Sequence, residues 1–214
     1  MISGLYLFII LVALAIIIAI VWRFASRRHT IPCPVWMSGL LDTPFSRGMS
    51  ARTYTTVQRL DLKPGMKVLD AGCGPGRLAL PIAGIAGLHG EVTAIDIQEG
   101  MLSLAQERAR KANITTVRFL RAGLGEGRLE HNYYDRAVMV TVLGEIPDRE
   151  AALRELFAVL KPGGILLIEE TIRDPHFQTY GTVSRLAGAA GFREKGFFGN
   201  RFSYTLILEK PSRE

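Results

Sequence analysis

The stretch VLDAGCGPG, residues 68–76, is an apolar run that ends in an aspartate and closely spaced glycines. The apolar part predicts a buried strand, and the glycines predict a tight turn where the backbone can approach a ligand. The next apolar run ends in a lone acid, Asp96. Ligands of open α/β sheets bind beyond the carboxyl ends of the strands. The two features together therefore predict a site for an adenosine-containing cofactor.

The glycine spacing separates the kinds of nucleotide-binding loop. A dinucleotide fingerprint, Gly-x-Gly-x-x-Gly counted from Gly72, requires a glycine where the chain has Arg77. A P-loop requires Gly-Lys followed by Ser or Thr, and the sequence has none. The remaining pattern, in which Gly72, Gly74 and Gly76 follow Asp70, favours S-adenosylmethionine over a dinucleotide.

Short apolar runs and helical stretches alternate after residue 66. Strands are predicted at 67–71, 91–95, 117–121, 134–141 and 165–169, and helices at 77–86, 99–112, 148–160 and 180–190. Two further strands, 193–198 and 201–209, flank the hairpin signal Gly199-Asn200. This order predicts a doubly wound, Rossmann-like α/β fold. Its seven-stranded sheet is mainly parallel with an antiparallel C-terminal hairpin strand.

Residues 5–22 form an unbroken apolar run of 18 residues. As a helix it is roughly 27 Å long, close to the thickness of a bilayer's hydrocarbon core. No Lys or Arg precedes it, and residues 24–26 make a poor cleavage site, which favours an uncleaved transmembrane anchor over a signal peptide. A buried core helix is the other alternative. Arg23, Arg27 and Arg28 follow the run, so the rest of the chain is expected to face the cytoplasm.

The positive charge is concentrated near this apolar run. Residues 1–52 carry a net charge of +4, whereas the rest of the chain carries +2 of the total +6. Such a distribution favours contact with anionic lipid, or a topology signal, and no nucleic-acid partner is expected. The two cysteines, Cys33 and Cys73, provide neither a disulfide framework nor a zinc spacing, so no metal is expected.

Five segments together resemble the class I S-adenosylmethionine-dependent methyltransferases. They are residues 68–76, 92–97, 134–135, 145–148 and 160–164. The resemblance extends over about residues 50–210 and is closest to the branch that includes ubiquinone/menaquinone-biosynthesis C-methyltransferases. It is specific for the fold and the cofactor, and much less specific for the substrate.

The resemblance implies that S-adenosylmethionine is the cofactor and assigns its contacts. Asp96 would bind the ribose hydroxyls, because a carboxylate can accept hydrogen bonds from both hydroxyls of a diol; a helix N-cap is its alternative role. Asp70 would orient the glycine loop or meet the methionine amino group through water. Ile97 and Met101 would pack on the adenine.

Many relatives carry an acid after the third strand that contacts the adenine amino group, and this chain has none at that point. The resemblance then leaves the adenine to backbone groups around Gly123 and Leu124. Relatives also often carry a histidine at the position of Gly144. We therefore expect the chain to lack that polar group.

Methyl transfer from a sulfonium mainly requires alignment of the reacting atoms. A base is needed only if the acceptor arrives protonated. Glu145 follows the fourth predicted strand and His176 follows the fifth, so these two are the candidate catalytic residues. A solvated loop residue or a hydrogen-bond anchor is the alternative role of each.

Three parts of the chain are expected. Residues 1–28 are the anchor and its basic flank, 29–60 are a juxtamembrane linker and a cap helix, and 61–214 are the methyltransferase domain. The anchor favours a hydrophobic acceptor, either quinone-like or a phospholipid, because tethering concentrates the domain beside lipid. A catalytically weak cofactor-binding module and a protein methyltransferase are the alternatives.

Overall fold

The computed structural model describes residues 2–29, 34–35 and 47–212. Most of the predicted linker therefore lies outside the described residues. A helix, α2, covers Arg47–Arg59 within the segment 29–60 that was predicted to hold a linker and a cap helix.

The N-terminal helix α1, Ile2–His29, contains the predicted apolar run. Its large apolar side chains that are described between residues 6 and 24 are exposed. Four positions of the predicted span lie outside the described side chains, namely Leu5, Ala15, Ala19 and Trp22. Within the described part of the chain, no helix has the length and apolarity that crossing a membrane requires.

The domain after α2 alternates strands and helices as predicted. The strands are β1 Lys67–Ala71, β2 Glu91–Asp96, β3 Val117–Arg121, β4 Tyr134–Val140, β5 Leu160–Thr171, β6 Arg193–Asn200 and β7 Ser203–Glu209. The helices are α3 Ala79–Ala86, α4 Glu99–Lys111, α5 Arg149–Val159 and α6 Tyr180–Ala190, and a 3₁₀ turn covers Leu143–Glu145.

The strands form one seven-stranded sheet in the order β3-β2-β1-β4-β5-β7-β6. Strands β1 to β5 are parallel, and β7 runs antiparallel to both β5 and β6. The predicted fold class is thereby confirmed for the sheet. The strand order reverses between β1 and β4, which is where ligands of open α/β sheets bind.

Helices cover both faces of the sheet. On one face, Val57 of α2, Ile82 of α3 and Leu102 of α4 belong to a buried cluster with sheet residues such as Val68. On the other face, Leu153 of α5 and Val183 of α6 are buried in a second cluster with sheet residues such as Leu69. Side chains alternate between the faces along each strand. Neighbouring residues at a strand end therefore reach different helices.

The C-terminal hairpin turns two residues later than predicted. β6 continues through Gly199 and Asn200, and the turn is Arg201-Phe202. The Asn200 Oδ1 atom accepts hydrogen bonds from the Phe202 N–H at 2.9 Å and the Ser203 N–H at 3.2 Å, a common way for asparagine to start a turn. A Cβ atom on Gly199 would lie 2.3 Å from the Ser203 carbonyl oxygen. Gly199 therefore serves close strand approach rather than the turn itself.

The strand β5 is longer than predicted. Residues 161–164 are a helix-stop signal, yet α5 ends at Val159 and β5 begins at once with Leu160. The Gly163 N–H donates to the Lys210 carbonyl at 2.8 Å, and the Lys210 N–H donates to the Gly164 carbonyl at 2.9 Å. Pairing with the residues after β7 thus keeps the Pro-Gly-Gly segment extended.

Candidate functional site

The glycine loop after β1 is tied to the end of β2 by backbone hydrogen bonds. The N–H groups of Gly72 and Cys73 both donate to the Ile95 carbonyl at 2.9 Å. The Gly74 N–H donates to Asp96 Oδ2 at 2.9 Å. These bonds fix the loop and the acid together. The pair predicted from the sequence is therefore one structural unit.

The three loop glycines have different reasons to be glycine. All have positive φ angles, +76° at Gly72, +51° at Gly74 and +82° at Gly76, where residues with a Cβ are strained. A Cβ on Gly72 would lie 2.4 Å from Val142, and one on Gly76 would lie 3.1 Å from Ala105. A Cβ on Gly74 would meet no atom within 4 Å. Of the three, Gly74 is the one beside open space.

Asp96 is buried, and each of its carboxylate oxygens has a backbone donor. Oδ1 accepts from the Gln98 N–H at 2.9 Å, and Oδ2 accepts from Gly74. Burial raises the pKa of Asp96, while these N–H donors oppose the rise. Gln98 is itself the N-cap of α4, whereas a capping side chain bonds to N–H groups further into the helix. Asp96 therefore bonds the N-cap residue and the glycine loop, and it does not cap α4.

Asp70 is buried too, but its Oδ2 atom has no hydrogen-bond partner among the described residues. Burial raises the pKa of Asp70 to about 7, because the carboxylate is removed from water. The Ala79 N–H and Arg77 lower the pKa, whereas the charge of Asp96 raises it. A buried oxygen without a donor costs free energy. The Asp70 Oδ2 atom can therefore accept a hydrogen bond from an N–H or O–H group of a ligand.

A cavity of about 90 Å³, lined in part by Asp70, lies between α2 and the strand ends. Its lining includes the acids Asp70 and Glu169, the arginines Arg52 and Arg77, and Gly74. Acidic and basic groups therefore face the same space. That combination suits a ligand group that carries both an ammonium and a carboxylate.

The residues predicted to hold the adenine follow β2 and β3. Ile97 is 49% exposed and its Cγ2 atom lies 3.5 Å from the position that a Cβ on Gly123 would take. Met101 is only 3% exposed. Leu124 is half-buried and packs on the main core. The structure thus brings Ile97 and Gly123 together, with Ile97 the more accessible of the two predicted apolar side chains.

Sequence reasoning missed two acids that contact the segment after β3. Glu126 Oε1 lies 2.6 Å from the position that a Cβ on Gly123 would take, so a carboxylate lies beside the Gly123 backbone. The signal available was that Glu126 is the first acid after β3. The buried Glu155 of α5 accepts hydrogen bonds from the Gly125 N–H and, at 3.1 Å, from the Arg128 N–H. It fixes the loop from the opposite side.

The predicted catalytic residues Glu145 and His176 meet in the structure. The His176 Nδ1 atom lies 3.7 Å from Glu145 Oε1 and 3.7 Å from Asp174 Oδ1. A further buried acid, Glu170, accepts from the Gln178 N–H at 3.1 Å, while its Oε1 atom has no partner among the described residues. We name Glu145, Glu170, Asp174 and His176 the His176 cluster.

Burial raises the pKa of Glu170 to about 8. The Gln178 N–H and Arg149 lower it, and the charges of Asp174 and Glu145 raise it. A carboxyl group with this pKa holds its proton at neutral pH. The carboxyl group of Glu170 in the His176 cluster is therefore mostly protonated at neutral pH.

Gly144 has a packing role that the sequence did not reveal. A Cβ there would lie 1.9 Å from the His176 carbonyl oxygen. The loop between β5 and α6 thus occupies the space that a side chain at position 144 would need. His176, which belongs to this different loop, therefore packs against the turn at Gly144.

The His176 cluster and the small cavity lie on different faces of β5. Glu169 accepts hydrogen bonds from Arg52 and Thr56 of α2, whereas its neighbour Glu170 bonds to the segment before α6. None of the cluster residues lines the cavity beside Asp70. The cofactor residues and the catalytic candidates therefore form two adjacent groups at the carboxyl ends of the strands.

A family model for a methyltransferase domain matches residues 62–188. The chain belongs to this methyltransferase family. The ubiquinone/menaquinone biosynthesis C-methyltransferase UbiE of Shewanella woodyi is 34% identical over 122 residues, which are 56% of this chain and 49% of that protein. The demethylmenaquinone methyltransferase of Bacillus cereus is 33% identical over 116 residues, or 54% of this chain and 49% of that protein.

The chain spans about half the length of the curated relatives that it matches. A solved structure supports the same fold. The S-adenosylmethionine-dependent methyltransferase from Aquifex aeolicus superposes with a TM-score of 0.75 at 24% identity, covering 83% of this chain and 99% of that one. At this identity the superposition shows the fold alone.

The cofactor of this methyltransferase family is S-adenosylmethionine, and the residues present fit it. The unpartnered Asp70 oxygen is an acceptor for an ammonium, and arginines line the same cavity. The open space at Gly74 lies beside Asp96, whose oxygens can accept further hydrogen bonds. Within the described ranges, no group of three or more His, Cys, Asp or Glu side chains could hold a metal ion.

Proposed function

We propose that this methyltransferase transfers the methyl group of S-adenosylmethionine to a carbon of a hydrophobic, quinone-like small molecule. The observation that carries the cofactor part is the fixed glycine loop, in which Gly74 bonds to Asp96 and a buried Asp70 oxygen lacks a donor. Two curated relatives are named as a ubiquinone/menaquinone biosynthesis C-methyltransferase and a demethylmenaquinone methyltransferase, and these names support the acceptor class.

In this proposal Asp96 binds the ribose hydroxyls and Asp70 accepts from the methionine ammonium. The backbone at Gly123 and the carboxylate of Glu126 hold the adenine, with Glu126 accepting from its exocyclic amino group. When bound, S-adenosylmethionine supplies an electrophilic methyl group on a sulfonium. The protein's own task is then to hold the acceptor in line and exclude water.

Glu145 and His176 remain our candidates for the groups that take a proton from the acceptor. Their support is the 3.7 Å separation of His176 Nδ1 from Glu145 Oε1 and the burial of His176. In that role the imidazole would accept the proton, and the nearby carboxylates would stabilise the resulting positive charge. Glu145→Gln should then lower kcat and leave cofactor affinity unchanged.

We further propose that α1 holds the domain at the cytoplasmic face of a membrane. The exposed apolar side chains of α1 and the arginines that follow the apolar run in the sequence support this location. A quinone-like acceptor or a phospholipid would be concentrated in the same layer. Both the anchor and its orientation are parts of the proposal.

Cofactor binding is tested with Asp96→Ala in the full chain. We expect calorimetry to show S-adenosylmethionine binding to the wild type and an affinity at least about tenfold lower in the variant, since two charge-assisted hydrogen bonds are lost. Arg154→Gln on the exposed side of α5 is the control and should bind normally. Equal affinities in Asp96→Ala and wild type would contradict the assignment.

The acceptor is tested by incubating native membranes that contain the full chain with methyl-labelled cofactor. Label in the quinone fraction supports the proposal. Label in the phospholipid fraction would show that the acceptor is a phospholipid and not a quinone. Label in protein bands indicates a protein methyltransferase instead. Cofactor binding without any labelled product indicates a cofactor-binding module.

A further inference from the structure

A second and larger cavity, of about 230 Å³, adjoins the one beside Asp70. It lies between α2 and the β6–β7 hairpin, and its lining includes Arg52, Arg59, Glu169, Phe198, Ser203 and Thr205. Arg52, Thr56 and Glu169 line both cavities. The larger cavity is thus a direct neighbour of the proposed methionine site.

The first arginine of this cavity is neutralised by an acid. Arg52 forms an ion pair with the buried Glu169, and Thr56 donates to the other oxygen of the same carboxylate. Arg52 also donates to Ser203 Oγ at 3.2 Å. Its charge is therefore compensated, and two of its nitrogen atoms donate hydrogen bonds, within the protein.

The second arginine, Arg59, has no acid beside it. Its Nη1 atom donates to Thr205 Oγ1 at 2.6 Å, and its Cζ atom lies 4.6 Å from the centre of the Phe198 ring. Within the part of the chain that the structure describes, no carboxylate lies within 4.0 Å of its guanidinium. A guanidinium has five N–H donors. Arg59 therefore brings an uncompensated charge and spare donors to the cavity.

The cavity walls narrow the kind of group that Arg59 can bind. Phe198 and Tyr204 give it an aromatic side, and Ser203 and Thr205 add hydroxyl groups. A guanidinium held against an aromatic ring binds anionic oxygens strongly, because its planar donors match them and it is partly removed from water. The ligand expected is a flat apolar group that carries an anionic oxygen.

We propose that Arg59 binds an anionic oxygen of the methyl acceptor inside this cavity. The inference rests on the proposed function, since it takes the ligand of the cavity to be the acceptor. A quinol-like acceptor would present a deprotonated ring hydroxyl there, and the negative charge would raise the electron density of its ring. The phosphate of a lipid headgroup also carries anionic oxygens that Arg59 could bind.

The test measures binding directly, with probes that differ in charge. The full chain in mild detergent is titrated by calorimetry with 2-hydroxy-1,4-naphthoquinone, whose acidic enol is anionic at neutral pH. The matched probes are uncharged 1,4-naphthoquinone and inorganic phosphate. Arg59→Gln removes the charge, Arg59→Lys keeps a charge without the planar donors, and Arg154→Gln is the surface control.

We expect Arg59→Gln to bind the anionic naphthoquinone about tenfold more weakly than the wild type, because a charge-assisted hydrogen bond is lost. Arg59→Lys should show a smaller loss. Affinity for the uncharged naphthoquinone and for S-adenosylmethionine should be unchanged in both variants, which also shows that they are folded. Equal affinity of Arg59→Gln and wild type for the anionic probe would overturn the inference.

The inference and the proposed function fail in different ways. Suppose that Arg59→Gln loses binding of the anionic probe, but the wild-type chain transfers no label to quinone. This result would support the anion site and contradict the quinone as the methyl acceptor. If inorganic phosphate binds more tightly than the anionic naphthoquinone, and this binding depends on Arg59, the anion site is supported. Its ligand would then be a phosphate group. If Arg59→Gln labels quinone as fast as the wild type when the acceptor concentration is limiting, the anion site is contradicted. The proposed function would still stand.

Discussion

Asp70 and Asp96 are two buried carboxylates that differ in their partners. Both oxygens of Asp96 accept from backbone N–H groups, whereas Asp70 Oδ2 has no described donor. The sequence placed both acids at the ends of neighbouring strands, since periodicity and glycine spacing are local signals. It did not reveal which oxygen lacks a partner, because that depends on how α2 and α3 pack.

The unpartnered oxygen predicts a pH dependence of cofactor binding. The pKa of Asp70 is raised to about 7, so a rise from about pH 6 to about pH 8 ionises it and increases its attraction for an ammonium. Wild-type affinity for S-adenosylmethionine should therefore increase over this interval. Asp70→Asn should bind more weakly at the higher pH and show a flatter profile. Calorimetry of both proteins across the interval measures this, and parallel profiles would contradict it.

Glu170 predicts a pH dependence of stability. Its pKa is about 8 in the folded protein, against an ordinary value of 4.5. Between these values the native state holds a proton that the unfolded chain has released. The free energy of unfolding therefore falls as pH rises, and levels off above about pH 8.

The glutamine in Glu170→Gln cannot ionise, so the variant should not show this fall in the free energy of unfolding with rising pH. At about pH 8 to 9 the variant should be more stable than the wild type by on the order of 2–4 kcal/mol, and the difference should shrink toward about pH 5. Urea unfolding of the full chain in mild detergent at several pH values gives the two curves. Curves that stay parallel would show that the carboxyl group is not protonated in the native state.

Among the elements, the turn after β4 is the most tightly packed part of the site. Gly144→Ala would place a methyl group against the His176 carbonyl, so we expect a loss of about 2–4 kcal/mol in the free energy of unfolding. The matched control is Gly84→Ala on α3, where a Cβ meets no atom within 4 Å and helix propensity favours alanine by about 0.5–1 kcal/mol. Denaturant unfolding compares the two, and similar stability changes would contradict the packing role of Gly144.

The order of strands and helices was predictable because each is encoded by its own local pattern. The hairpin turn was displaced because the Asn200 side chain bonds to the residues after it, which the dipeptide Gly199-Asn200 does not reveal. Arg59 and Thr205 are 146 positions apart in sequence, and Glu155 holds a loop 30 positions before it. Such contacts exist only once the sheet has brought distant elements together.

For the molecule as a whole, the location of the domain is the main open prediction. If α1 anchors it, the full chain should stay with the membrane pellet after extraction at high salt and at alkaline pH, because both remove proteins held by charge alone. A protease added to intact cells should leave the domain undigested, and it should digest the domain once the cells are broken open and the cytoplasmic face of the membrane is accessible. Release by high salt would contradict an anchor, and digestion from the outer side would contradict the orientation.

The two cavities share a wall formed by Arg52, Thr56 and Glu169. A ligand that shifts this wall from one side alters the space offered to a ligand on the other. Thermodynamic linkage then requires reciprocity, so that cofactor and acceptor change each other's affinity by the same factor. The Arg52–Glu169 ion pair lies in this shared wall, so such a coupling between cofactor and acceptor would act through it.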